Sequence, residues 1–299
     1  MTSIVEQIRE QCAWVAARSR HVRIHRERIP AYAHSLPAPP HSAQPPEPQD
    51  PAGETAFWLT MDAINFGSGW FPTLRKAPGR SGYFTIHDGL RRRFESAGPW
   101  TAGDLAVLKA GEIAATLDQD PGHELMGLFA TSLNDLGRRL LHGHGGEFEA
   151  IVGTSAVELV TRLAGWDCFA DTSTYDGRQI SFLKRAQIAA ADLGRSGLAT
   201  YPDLHRLTMF ADNLVPHVLR LDGIVAFDPE LTARIEQHQL IEHGSPEEVE
   251  IRACAVHAVE LIAHETARAP AELDQVLWER GGQPFYKARP RHRSRCTAY

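Results

Sequence analysis

The sequence is poor in cysteine, and the four it has, Cys12, Cys168, Cys254 and Cys296, are scattered with no CxxC spacing. That excludes a zinc ribbon, an iron–sulfur loop and a dense disulfide framework, and leaves reduced thiols in a cytosolic protein as the default. Positive charge is also short. Thirty-one Lys plus Arg stand against 37 Asp plus Glu, a net charge of −6. A protein that lives on a polyanion needs the opposite balance, because non-specific nucleic-acid affinity comes from neutralising phosphates; a small basic pocket remains open. No stretch approaches the ~18 consecutive apolar residues of a membrane span. The most apolar candidate, 253–263, contains His257 and Glu260. Residues 1–20 carry charges throughout and lack the apolar core of a signal peptide. The His-rich spots at 142–144, 238–243 and 292 lack ligand spacing such as HExxH, so no metal and no cofactor is expected. There is no internal repeat. These absences describe a cytoplasmic chain, expected to be monomeric, without a membrane partner or a stable nucleic-acid partner.

What is present is an ordinary globular composition, 43% hydrophobic and 23% charged, which excludes wholesale disorder. Residues 37–51, PAPPHSAQPPEPQDP, hold seven prolines and read as an extended connector. The expected organisation is a helical arm at 1–36, the Pro-rich connector at 37–53 and a helical body at 54–299, with the arm packed on the body. Thr101 with Asp104 caps a predicted helix through Leu117, residues 123–142 read as another, and Ser245-Pro246-Glu247-Glu248 opens a third. Strand signals are sparse, the best at 57–66 and 82–86. The predicted class is mainly α with a few short strands.

Several strings carry chemistry. In 175–192 a turn at Asp176-Gly177 precedes a predicted helix containing Lys184 and Arg185; the pair is either a solvated surface feature or an anion site. In 208–225 Asp212 follows Met209, Phe210 and Ala211 at a helix start. It is either a plain cap or a carboxylate facing a cleft from an apolar wall, able to stabilise a cationic transition state or activate water. The string around it, with Val215, Val218 and Arg220, resembles the helix-hairpin-helix glycosylases, where an aspartate opens a helix. In 61–72, Asp62, Asn65, Phe66, Trp70 and Phe71 surround Gly67-Ser68-Gly69; aromatic faces and hydrogen-bonding groups suit a heterocycle as well as they suit a core turn. In 248–262, Arg252 on an apolar stripe predicts a buried ion pair, with an acid from 181–192 as the expected partner. The run at 287–295 packs Lys287, Arg289, Arg291, Arg293 and Arg295 just before Cys296 and Tyr299, which is unlike a disordered polybasic tail.

Taken in order, DAINF, SFLKRAQIAAAD, TMFADNLVPHVL, EVEIRACAVHAVELI and the terminal RSRC-x-x-Y resemble the queuosine salvage family, N-glycosylases that release queuine from queuosine 5′-phosphate. The resemblance spans roughly 14 to 299, with Ala17, Ser19 and Val22 echoing its N-terminal segment. It implies a helical DNA-glycosylase-like (helix-hairpin-helix) fold and hydrolysis of a nucleotide's N-glycosidic bond. It makes Asp212 the catalytic aspartate of the MFAD string and places Lys184 near the phosphate. Asp62, Asn65 and Phe66 would line the base pocket. Trp70, Phe210 and Arg185 complete the predicted substrate-binding set. Two departures stand out: glycines precede Trp70 where the family commonly reads NFSFW, and the Pro-rich stretch is longer than usual. The alternatives are a DNA-repair-type glycosylase on the same fold, against which the net charge and scattered cysteines count, and a non-catalytic nucleotide- or tRNA-binding protein using the basic run.

Overall fold

The computed structural model describes residues 2–38 and 48–299; the middle of the Pro-rich stretch, 39–47, lies outside them. Helices dominate, as the patterning predicts. The central one, Pro246–Thr266, starts as expected, with Ser245 Oγ accepting from the Glu248 N–H and proline in the first turn. Its residues from Glu248 to Val256 are all buried, so neighbours pack around it on every side. The arm helix Ile4–Ala16 lies against it, tied by Arg9 to Glu260 at 2.9 Å.

Both predicted strands are helices. Residues 57–66 fall mostly in Pro51–Ala63, capped by Asp50, and 82–86 open Gly82–Ala97, capped by Ser81. In Pro51–Ala63 nearly every residue from Gly53 on is buried, and a helix buried all round has no polar face to reveal its period. It also begins inside the predicted connector. The helix expected from Thr101 to Leu117 breaks into Ala102–Val107 and Ala110–Leu117. Asn134 stabilises the break by donating to the freed carbonyls of Leu105 at 2.7 Å and Leu108 at 3.0 Å. The predicted 123–142 helix runs Glu124–His144 and stops at Gly145 in the left-handed region.

The strands lie elsewhere. Val22–Ile24 pairs antiparallel with Val225–Phe227, which fixes the end of the arm to the body. Thr172–Tyr175 pairs with Arg178–Ser181 through Asp176-Gly177, both at positive φ, the geometry of a tight two-residue hairpin. That turn therefore joins two strands, and the helix after it starts only at Lys184. The basic run near the C-terminus forms an extended strap. His292, Ser294, Cys296, Ala298 and Tyr299 are buried, whereas Arg295 points to solvent. The Arg252 pairing is real, but its acid is Asp171, just before the hairpin, rather than one from 181–192. Among the described residues no helix is long and apolar enough to cross a membrane.

Candidate active site

Leu183 sits at φ +52° and turns the chain sharply into the helix Lys184–Arg195. Asp171 fixes that entry, accepting from the Lys184 N–H at 2.9 Å while Arg252 grips the same carboxylate at 2.9 and 2.7 Å. The Lys184 side chain is thereby driven inward, only 4% exposed. Its Nζ donates to the Asn65 carbonyl at 2.8 Å and to Asn65 Oδ1 at 3.1 Å. Burial lowers its pKa, and the charges of Asp212 and Asp62 oppose that shift.

Asp62 is on the last turn of Pro51–Ala63 and fully buried. Its Oδ1 accepts from Asn65 Nδ2 at 3.4 Å, whereas Oδ2 has no partner among the described residues. Burial raises its pKa, the Asp192 charge adds to this, and Asn65 and Lys184 counter it. Asp192 is likewise raised by burial, to about 6, with Arg195 and Lys184 opposing.

Asp212 stands at the entry of Leu214–Leu221 and is half-buried. One oxygen, Oδ1, accepts from the N–H groups of Leu214 at 2.7 Å and Val215 at 3.3 Å. It does act as a cap, but this leaves Oδ2 available. The Ala211 carbonyl accepts from Arg252 Nε at 2.8 Å, so the buried arginine ties the Asp171 carboxylate to the backbone at 211. Phe210 donates its N–H to Asp274 at 3.0 Å. Burial and then the Asp212 charge push Asp274 up to about 8.

Of the predicted residues, the structure gathers Asp62, Asn65, Lys184, Asp212 and Phe210. Phe66 and Arg185 lie together but deep, each 1% exposed, with the guanidinium 4.9 Å above the ring and Phe129 edge-on at 5.0 Å. Arg185 donates to the Ala63 carbonyl. Trp70 is turned toward the strap: its Nε1 donates to Glu124 at 2.7 Å and Arg295 lies over its ring. The glycines before it have a structural reason. Gly67, at φ +104°, donates to the Tyr299 carbonyl, and a Cβ on Gly69 would overlap the Ser294 carbonyl. Asp192 and Asp274 were not singled out from sequence. Asp274 had a signal: it stands in the apolar face of Pro270–Gly281 beside Leu273 and Leu277. Among the described residues no group of three or more His, Cys, Asp or Glu is arranged to hold a metal.

Fold and site define a mainly helical protein with two carboxylates, Asp62 and Asp212, that each keep one oxygen unbonded among the described residues, beside a buried lysine and the further acids Asp192 and Asp274. Such a site is suited to stabilising positive charge on a bound molecule. A family model described as queuosine salvage protein matches residues 46–299, and the chain belongs to that family. The queuosine 5′-phosphate N-glycosylase/hydrolase of Sphaerobacter thermophilus is 34% identical over 260 residues, covering 81% of this chain and 80% of its own. The protein of that name from Bos taurus is 31% identical over 274 residues, 82% and 78% of the two chains. That of Dictyostelium discoideum is 39% identical over 153 residues, 48% and 47%.

Proposed function

We propose that this protein hydrolyses the N-glycosidic bond of queuosine 5′-phosphate and releases queuine, as the names of its relatives suggest. It is a hydrolase acting on an N-glycosyl compound. The observation that carries the reading is Asp212: one oxygen is anchored to a helix entry, the other makes no hydrogen bond among the described residues, and its charge helps Lys184 keep its proton against burial.

Breaking the bond between ribose C1′ and base N9 leaves positive charge shared by C1′ and the ring oxygen. The free Asp212 oxygen stabilises that charge as the C1′–N9 bond breaks and the base leaves with the bonding pair; it then orients the water that adds to C1′ and takes up the proton that water gives up. Queuine has carbon where purines have N7, so the base cannot leave by protonation there, and negative charge gathers on N9 and N3 instead. Asp62 answers that need. Burial favours its protonated form, and its unpartnered oxygen is a donor to N3 or an acceptor for the exocyclic amine. Asn65 holds the other Asp62 oxygen and fixes the loop leading to Phe66, which we propose borders the base with Phe210, while Trp70 braces that loop against the strap. Arg185 supports that wall from behind through Phe66. Lys184 keeps one N–H free for the phosphate. In the same reading the architecture is that of the helix-hairpin-helix glycosylases, with Asp212 as the helix-opening aspartate. Incubating the purified protein with queuosine 5′-phosphate and following free queuine by mass spectrometry tests this. Release supports it, and a folded protein that releases none overturns it.

A further inference from the structure

The proposed substrate brings a phosphate with close to two negative charges, and Lys184 alone does not balance it. Two of its three N–H groups are committed to Asn65, and its charge already answers Asp212. A second cation is needed. Arg195 donates to the Ala271 carbonyl at 3.0 Å and lies 3.8 Å from Asp192. Lys76 donates to the Phe71 carbonyl at 2.7 Å, and Arg293 to the His238 carbonyl at 3.2 Å. Arg291 is different: half-buried in the strap, its guanidinium makes no hydrogen bond or ion pair among the described residues.

Its position is fixed by the backbone on either side. The Pro290 carbonyl accepts from Arg220 at 3.0 Å, the His292 carbonyl from Asn213 Nδ2 at 3.1 Å, and the Arg293 carbonyl from the Ile241 N–H at 2.9 Å. Asn213 directly follows Asp212, and Arg220 lies on the helix that Asp212 opens. Arg291 is therefore pinned alongside the catalytic helix. Asp212 attracts its charge, while Arg293 opposes it. His292, on the next position of the extended strap, is 1% exposed, and burial holds it neutral with a pKa of about 3, so it adds no cation.

A guanidinium partly out of water with its donors unused calls for an anion, and its planar fork matches two phosphate oxygens. We infer that Arg291 holds the 5′-phosphate of the substrate and sets the preference for nucleotide over nucleoside. This rests on the proposed function above, and singles out one arginine of the basic run at 287–295.

The test uses the full-length protein, with ribose 5-phosphate as a binding probe and both queuosine 5′-phosphate and queuosine as substrates. Arg291→Ala is expected to weaken ribose 5-phosphate binding by about tenfold to a hundredfold. The ratio of kcat/KM for the phosphorylated over the unphosphorylated substrate should fall by a similar factor, mainly through KM. Arg291→Lys should recover part of both. Unchanged ribose 5-phosphate binding in Arg291→Ala, no binding by the wild type, or equal losses on both substrates would each overturn the assignment. Binding that depends on Arg291 in a protein that releases no queuine would leave the phosphate site standing and refute the proposed reaction.

Discussion

Two buried ionic clusters lie on either side of the Lys184 helix entry, and they are built on opposite plans. Around Arg252 the charges are matched: the guanidinium meets Asp171 at 2.7 Å and Glu248 at 3.6 Å, and His243 meets Glu248 at 3.4 Å. Burial disfavours the charges of Glu248, Arg252 and His243, yet the partners win. Glu248 is held at about 2 by His243 and Arg252, and Arg252 is raised by Asp171 and Glu248. His243 is raised to about 10 by Cys296 and Glu248. Around Lys184 the acids outnumber the bases. Asp62, Asp192, Asp212 and Asp274 face Lys184, Arg185 and Arg195, and burial wins instead, raising Asp62, Asp192 and Asp274 and lowering Lys184 and Arg185. A cluster saturated in charge, as this first one is even though Glu248 Oε1 and His243 Nδ1 make no hydrogen bond among the described residues, holds backbone in place. An unsaturated one has bonds left for a ligand.

The sharpest way to break this comparison is to open the saturated cluster. Asp171→Asn leaves Arg252 charged and under-neutralised in the core, and should cost about 3–5 kcal/mol of stability by denaturant unfolding. A loss below about 1 kcal/mol would mean the pair is not the anchor described. A smaller effect is expected from Gly69→Ala. The added methyl meets the Ser294 backbone, so the strap must shift, at about 1–3 kcal/mol and with loss of queuine release, since the same strap carries Arg291. Stability unchanged in that variant would show that strap and loop are not packed as one unit.

The smallest effects are in the pH dependence, where the two clusters have opposite signs. Glu248 is depressed from 4.5 to about 2, so its contribution is present above pH 4.5 and lost as pH falls toward 2. Asp274 is raised from 3.8 to about 8. The unfolded chain gives up that proton from pH 4 upward while the fold retains it, so stability falls as pH rises from about 4 to 8. Asp274→Asn keeps an acceptor for the Phe210 N–H and should flatten that decline when unfolding midpoints are measured across the range. An unchanged slope would remove Asp274 from the account.

Much of this was legible in the chain. Ser245-Pro246 and Thr101-Asp104 act through local backbone chemistry and appear where the pattern puts them. A charged residue on an apolar stripe announced the buried Arg252. Its partner was not readable, because Asp171 is 81 residues away in sequence and nothing local marks it. The misread strands fail for a related reason: Thr55 to Ala63 is apolar or small on nearly every side, and burial in the core erased its helical period. At the candidate site, Asp62, Asn65, Lys184 and Asp212 were picked out of motif strings; Asp192 closes one of those strings and Asp274 lies outside them, and neither was assigned a role because that depends on tertiary proximity to Lys184. Trp70 looked like a stacking platform by composition, and only the fold shows it bonded to Glu124 under Arg295.

The central claim is that the unsaturated cluster works on substrate while the saturated one holds the fold, and Asp212→Asn separates the two most directly. Asparagine keeps the acceptor for the Leu214 and Val215 N–H groups, so stability should stay within about 1 kcal/mol of wild type. Single-turnover release of queuine from queuosine 5′-phosphate should fall by about a thousandfold. Release at the wild-type rate, or a loss explained by unfolding of the variant, would contradict the account.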